Sequence, residues 1–137
     1  MSQKHADISA IINQFHSQPL DAHYLAYFEC FNRQLFFEAH EVLEVIWLPQ
    51  RGAPNGLFFK GLIQLAGAFV HLQKNRLRPA AALFKLARTN LGKYPMRHER
   101  LDLQNVTATI ADCLRNLENG VNPLSSGKAP ALGLEAN

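Results

Sequence analysis

Apolar residues recur at helical spacing along almost the whole chain. In most stretches they stand three and four positions apart, and no run shows the sustained alternation that marks a strand. Prolines and glycines break the pattern at Pro19, in the loop PQRGAPNG and again after residue 91. The pattern predicts helices over residues 6–17, from the cap Asp21 to residue 31, over the run FFEAHEVLEVIW, over residues 57–74, from Pro79 to residue 91 and from Asp102 to Gly120. We therefore predict an all-α fold, a compact bundle of about six helices with short connections.

The domain organisation follows from the same pattern. Residues 1–120 are predicted to form a single helical domain, which a chain of 137 residues can fill. Residues 121–137 contain Pro, Gly and Ser but little periodicity. We expect them to form a loose or docked C-terminal tail, with Leu124, Leu132 and Leu134 as anchoring side chains.

The charge of the chain does not favour a nucleic-acid partner. Fourteen basic and eleven acidic residues give a formal charge of +3, and the basic residues form no dense run. The densest basic cluster alternates with apolar residues, as on a solvated helix face: Arg76, Arg78, Lys85 and Arg88. We predict no binding to nucleic acid.

Membrane insertion and secretion are not expected either. The longest apolar run, LIQLAGAFVHL, is too short to span a bilayer, and MSQKHAD lacks the basic start and apolar core of a signal peptide. Cys30 and Cys113 belong to no metal or redox spacing and each lies in a helical apolar pattern, which predicts reduced, buried thiols. A cytoplasmic location is the simplest interpretation.

One predicted helix, FFEAHEVLEVIW, mixes acidic residues and a histidine with large apolar side chains. At about 100° per residue, His40, Glu44 and Trp47 fall in one narrow sector with Phe37 beside them. Glu41 lies at the edge of this sector. Glu38 points well away from it and is expected to be solvated.

The helix predicted over residues 57–74 carries a matching polar strip. It is otherwise apolar nearly all round, which is typical of a buried central helix. The strip consists of Lys60, Gln64, Gly67 and His71. The short loop between the two helices favours an antiparallel pair, so we expect this strip to face the strip that contains His40.

Three hypotheses account for the facing strips. In the first, they form a buried structural network in a scaffold or binding module without enzymatic activity. Glu44 then accepts from His40 or His71, Gln64 bridges, and Trp47 donates its indole N–H. Such a network would fix the register of the two helices.

In the second hypothesis the protein is a metal-dependent hydrolase or a related enzyme. His40, Glu44 and His71 would hold a divalent cation, zinc or iron, with Gln64 or Glu41 as a further contact. Glu41 is then the candidate catalytic base. HEVLE is not the HExxH signature, because a glutamate replaces the second histidine. The sequence leaves open whether the protein is an enzyme.

In the third hypothesis the strips line a pocket for a small molecule or peptide. His40 and Glu44 would be its polar end, with Phe37, Trp47 and Phe58 as its walls. The candidate ligand-binding residues are His40, Glu44, Trp47, Gln64 and His71.

Two further expectations concern the surface. The remaining histidines, His5, His16, His23 and His98, are interpreted as surface residues. The second predicted helix carries more aromatic residues than one core face needs, which suggests a patch for a homo-oligomer: Tyr24, Tyr27 and Phe28.

The run FNRQLFFEAHEVLEVIW, followed by KGLIQLAGAFVHLQKN and AAALFKLARTNL, resembles the bacterial and archaeal domain-of-unknown-function family 309. The resemblance covers residues 27–92 and implies an all-helical fold of the same compact kind, with no established activity. Gln34 stands where a glycine is common in the family, and Lys74-Asn75 stands where glycine-asparagine is common. The residues that carry the resemblance are Phe37, Glu38, His40, Glu41, Glu44 and Trp47, then Gly61, Leu62, Ile63, Gln64 and His71.

Overall fold

The computed structural model describes residues 2–16 and 21–135, with side chains described from residue 8 onward. The predicted break at Pro19, the side chain of His5 and the last two residues of the tail lie outside this part. The prediction of an all-α bundle of six helices is confirmed for the described residues. The helices are α1 (Ser2–Asn13), α2 (Ala22–Asn32), α3 (Phe36–Trp47), α4 (Gly56–Gln73), α5 (Leu77–Leu91) and α6 (Leu103–Glu118).

Neighbouring helices along the chain are also neighbours in space. Each helix from α2 to α5 packs against the next, α6 packs against α5, and α1 packs against α2 and α3. Helix α4 is the central element, because its apolar residues point to all sides and most of them are buried. The hydroxyl of Tyr27 in α2 donates a hydrogen bond of 2.6 Å to the backbone carbonyl of Leu62, which fixes α2 against α4.

Two helices begin at an aspartate N-cap, one of them at the predicted cap Asp21. The carboxylate of Asp21 accepts from the N–H of His23 at the start of α2, and Asp102 accepts from the N–H of Asn105 at the start of α6. A short 3-10 helix, Leu48–Gln50, extends α3 into the predicted loop.

Helices α2, α4 and α6 end in the same backbone motif. The residue after the C-cap has a left-handed conformation in each: Gln34 (φ 61°), Asn75 (φ 54°) and Gly120 (φ 72°). The N–H of the following residue donates to the carbonyl five positions earlier, at 2.8 to 2.9 Å. This is the Schellman arrangement, which satisfies carbonyls that the helix leaves without an intrahelical partner.

A small hairpin between α5 and α6 was not predicted from the sequence. Its strands, β1 (Arg97–His98) and β2 (Leu101–Asp102), pair antiparallel. The two turn residues, Glu99 and Arg100, both have positive φ, at 49° and 62°. The Tyr24 hydroxyl donates to the Glu99 carbonyl, and the Asn55 amide donates to the Glu99 carboxylate, each at 2.8 Å. These bonds hold the turn against the bundle.

The C-terminal segment lies on the bundle. The Asn32 side chain both donates to the carbonyl of Leu132 and accepts from its N–H, each at 2.7 Å, and Leu132 is buried. Leu134 forms a β-bridge with Leu101, and Leu124 is half-buried. The described tail residues are thus tied to the end of α2 and to the hairpin.

The structure corrects three predictions about exposure. Glu38 is only 3% exposed. Helix α3 packs against α2 on one side and against α4 on the other, so both of these sides of α3 are buried. Together with burial, which is the larger cause, Glu38 raises the pKa of the Cys30 thiol to about 12. The three aromatic residues expected to form a self-association patch are buried in the core of the chain: Tyr24, Tyr27 and Phe28.

The third correction concerns His98. The residue is half-buried, and the centroid of its ring lies 4.8 Å from the ring centroids of Phe58 and Tyr94. Its Nε2 lies 2.7 Å from Asn55 Oδ1. His16 is exposed and His23 is half-buried.

Cys30 and Cys113 are buried and form no disulfide. None of the helices in the described part of the chain is long and apolar enough to cross a membrane.

Candidate functional site

The two polar strips meet in one surface groove. Helix α3 contributes His40 and Glu44, helix α4 contributes Lys60, Gln64, Gly67 and His71, and helix α5 closes the far side. We name this depression, about 470 Å³ in volume, the α3–α4–α5 groove. The other lining residues are apolar: Phe37, Ile63, Val70, Leu83 and Leu86.

The His40–Glu44 pair lies at the surface of the bundle. His40 Nε2 is 3.5 Å from Glu44 Oε2, and the two side chains are 29% and 42% exposed. The other ring nitrogen, His40 Nδ1, is shielded from solvent and has no hydrogen-bond partner among the described residues. The prediction that this constellation lies in the core is therefore wrong for His40 and Glu44. Of the two ring nitrogens of His40, Nε2 is the one directed to Glu44.

Gln64 is the buried member of the strip. Its Oε1 accepts a hydrogen bond of 2.8 Å from Asn90 Nδ2 on α5, so Gln64 joins α4 to α5. This bond uses the carbonyl end of the side chain. The amide nitrogen forms no hydrogen bond to another described residue, so its N–H groups remain available to an acceptor in the groove. No pattern in the sequence indicates the role of Asn90, because its hydrogen-bond partner stands 26 positions away.

Lys60 connects the groove to Trp47. The Lys60 Nζ lies 4.5 Å from the centroid of the indole ring, within the range of a cation–π contact. The Arg51 guanidinium lies 6.0 Å from the same ring. Trp47 itself does not line the groove, although it was predicted as a ligand-binding residue. Trp47 is linked to the groove by its cation–π contact with Lys60, which does line it.

The predicted metal site does not assemble. His71 lines the groove with His40 and Glu44, but no group of three or more His, Cys, Asp or Glu side chains in the described part of the chain is placed to hold a metal ion. His71 Nδ1 is shielded from solvent without a hydrogen-bond partner among these residues. Glu41, the candidate catalytic base, is not among the lining residues.

The apolar walls of the groove differ from the predicted ones. Phe58 is fully buried and lines no part of the groove, whereas Phe37 is 46% exposed and does line it. Sequence reasoning missed Leu83 and Leu86 on α5 as walls. Leu86 is 50% exposed. The sequence did contain a signal for this wall, because Leu86 lies on the otherwise polar side of the amphipathic helix α5.

Comparison with known families gives one match. A family model described as "Domain of unknown function (DUF309)" matches residues 24–91. The chain belongs to this family. The DUF309 segment contains α2 to α5, and thus every helix that lines the α3–α4–α5 groove. Neither the curated proteins nor the solved structures gave a match.

The groove of this DUF309 domain contains two hydrogen-bond donors and one acceptor that is already engaged. These donors are the Lys60 ammonium and the amide of the buried Gln64, while the acceptor Glu44 lies 3.5 Å from His40. Among the described residues, Lys60 has no acidic side chain within ion-pair distance, and its ammonium contacts the Trp47 ring instead. A ligand group that accepts hydrogen bonds would satisfy both donors.

Proposed function

We propose that the α3–α4–α5 groove binds a small amphipathic molecule with a carboxylate or a similar hydrogen-bond-accepting head group. One observation carries the proposal. Four of the polar residues that mark the family in this sequence line a depression open to solvent, whereas a structural network would be sealed inside the core: His40, Glu44, Gln64 and His71. A volume of about 470 Å³ also falls in the range of small-molecule sites.

The cationic side chain of the groove lies near the start of α4, and the opposite end combines apolar residues with His71. Lys60 and Gln64 belong to its first half, whereas Val70 lies ten positions after Lys60, about 15 Å along the helix axis. Phe37, at the start of α3, lies at the same end as Val70 because the two helices run antiparallel. The head group of an amphipathic ligand would thus contact Lys60 and Gln64, and its apolar body would bury Phe37 and the leucines of α5.

Gly67 keeps the middle of the groove open. A Cβ added at Gly67 would meet only the Leu83 Cδ1 atom within 4 Å, at 3.2 Å. A larger side chain at this position would project into the groove and shift Leu83, which is partly buried in the groove wall. Gly67→Met is therefore a variant that fills the proposed site while the fold is retained.

The first experiment uses decanoate as the probe. We expect saturable binding by isothermal titration calorimetry, weakened about tenfold in Lys60→Met because a hydrogen bond to a charged group is lost. Lys74→Met is the matched control, since Lys74 is exposed and lies outside the groove. Gly67→Met is expected to weaken binding as well.

Two outcomes would contradict the proposal. The first is equal affinity in Lys60→Met and Lys74→Met, which would place the carboxylate elsewhere. The second is the absence of saturable binding for the whole series from hexanoate to dodecanoate. Thermal denaturation of each variant would show that any loss of binding occurs in folded protein.

A further inference from the structure

A second groove lies on the other side of α5, where this helix packs against α6. Its volume is about 490 Å³. The floor is apolar and is formed by Leu77, Ala81, Leu114 and Leu117. Three basic residues of α5 also line the groove, and we call them its basic rim: Arg78, Lys85 and Arg88. We name this depression the α5–α6 groove.

The basic residues of this rim form no ion pair within the described part of the chain. Arg78, Lys85 and Arg88 are exposed, and none has a carboxylate within ion-pair distance among the described residues. Glu118, at the end of α6, is the acidic residue of the lining. Three arginines elsewhere do contact a carboxylate, namely Arg33, Arg97 and Arg115. Other basic residues in the described part of the chain, such as Lys74 and Lys93, also lack an ion pair, but these three line one groove together.

The spacing of the basic residues fits a helical partner. Arg78 and Arg88 stand ten positions apart on α5, about 15 Å along its axis, with Lys85 between them. About three turns of a docked helix would span this distance. Such a helix would place leucine-like residues on the apolar floor and acidic residues beside the basic rim, which is the usual arrangement for a helix bound in a groove.

We propose that the α5–α6 groove docks an acidic amphipathic helix of a partner protein. Charge complementarity favours the acidic partner, and the leucine floor favours one with an apolar face. A nucleic acid fits less well, because the lining contains no aromatic side chain on which a base could stack. The α5–α6 groove shares no lining residue with the α3–α4–α5 groove, so this proposal can be tested independently of the proposed function.

The test uses a synthetic fluorescein-labelled peptide. It has about 14 residues, with leucines three and four positions apart on one face and glutamates on both flanks. A second peptide carries lysine at every glutamate position. By fluorescence anisotropy with the full chain, the acidic peptide is expected to bind at least about tenfold more tightly than the basic one. Its affinity should fall as salt is added.

Charge reversal on the protein locates the binding surface. The double variant Lys85→Glu, Arg88→Glu is expected to lose at least about tenfold in affinity for the acidic peptide. The control is Lys74→Glu, Lys93→Glu, which makes the same change in net charge at exposed positions outside the groove. Its affinity should stay within about twofold of the wild type.

Two further measurements complete the test. Ala81→Gln places a longer side chain on the half-buried floor and should also weaken binding. Circular dichroism of each variant would show that the helices are intact. Equal affinity for the two peptides, or equal loss in the two double variants, would overturn the proposal. Tighter binding to a single-stranded oligonucleotide than to the acidic peptide would overturn it too, by assigning the basic rim to nucleic acid.

Discussion

Replacing Gln34 with glycine is expected to stabilise the protein. Gln34 is exposed, and its side chain forms no hydrogen bond to any other described residue, so the change removes no contact of this kind. Its backbone, however, has φ 61° at the end of α2, a conformation in which an L-residue with a Cβ is strained. Glycine adopts this conformation without that strain.

The expected gain is the difference between two terms. Relief of the left-handed conformation contributes about 1–2 kcal/mol. Against this, glycine makes the unfolded chain more flexible, at a cost of about 0.5–1 kcal/mol. The net gain in the free energy of unfolding is therefore about 1 kcal/mol, or an increase in melting temperature of about 4 °C for a chain of this size.

Urea denaturation followed by far-ultraviolet circular dichroism would measure this gain. Gln104→Gly is the matched control, because it makes the same chemical change at an exposed position within helix α6. The control should lose about 1 kcal/mol, since glycine is a poor helix former. A lower midpoint for Gln34→Gly, similar to that of the control, would refute the left-handed conformation of Gln34.

Three other perturbations test the packing. Gly61→Ala should destabilise the protein by about 1–3 kcal/mol in urea denaturation, because a Cβ there would lie 2.8 Å from the buried side chain of Leu91; an unchanged midpoint would contradict this contact. Asn32→Ala should remove both side-chain hydrogen bonds to the tail and cost about 2 kcal/mol, and hydrogen exchange should then show faster exchange of the tail amides than of α4. Burial raises the pKa of Cys30 to about 12 and that of Cys113 to about 11, so both thiols should react slowly with Ellman's reagent at mildly alkaline pH until urea unfolds the chain. Rapid reaction in the folded protein would contradict their burial.

The same thiols predict a pH dependence of stability. Because burial raises both pKa values above the usual value of 9.0, the folded state disfavours the thiolates. The stability that the two thiols contribute is fully present below pH 9 and is lost as the pH rises from there toward 11 and 12. Urea midpoints should thus fall over this interval, and Cys113→Ala should reduce the fall. An equal fall in that variant would assign the effect to other groups.

Helical periodicity was sufficient to predict the architecture. The apolar pattern located α3 to α6 within a few residues of their observed ends, because each of these helices buries a continuous face. The exposure of Glu38 was mispredicted because α3 is buried on two sides, and a pattern within one helix does not show how many neighbours that helix has. The hairpin was missed because strands of two residues have no periodicity. Long-range bonds from Tyr24 and Asn55 hold its turn.

The candidate site was predicted only in part. The positions of His40, Glu44, Gln64 and His71 on two adjacent helices were enough to expect them on one surface, and the structure brings them to one groove. Their exposure could not be read from the sequence, since it depends on how far α5 covers α4. The α5–α6 groove was also inaccessible to sequence reasoning. Its floor joins residues more than 30 positions apart, such as Leu77 and Leu114.

The tail attachment has a consequence for the order in which the protein folds. Helices α2 to α5 each pack against the next, so their contacts close short loops and should form early. The bonds between Asn32 and Leu132 join residues 100 positions apart, and they need the end of α2 to be in place first. We therefore expect docking of the tail to be a late step in folding. Mutations at this attachment should mainly speed unfolding and leave the folding rate nearly unchanged.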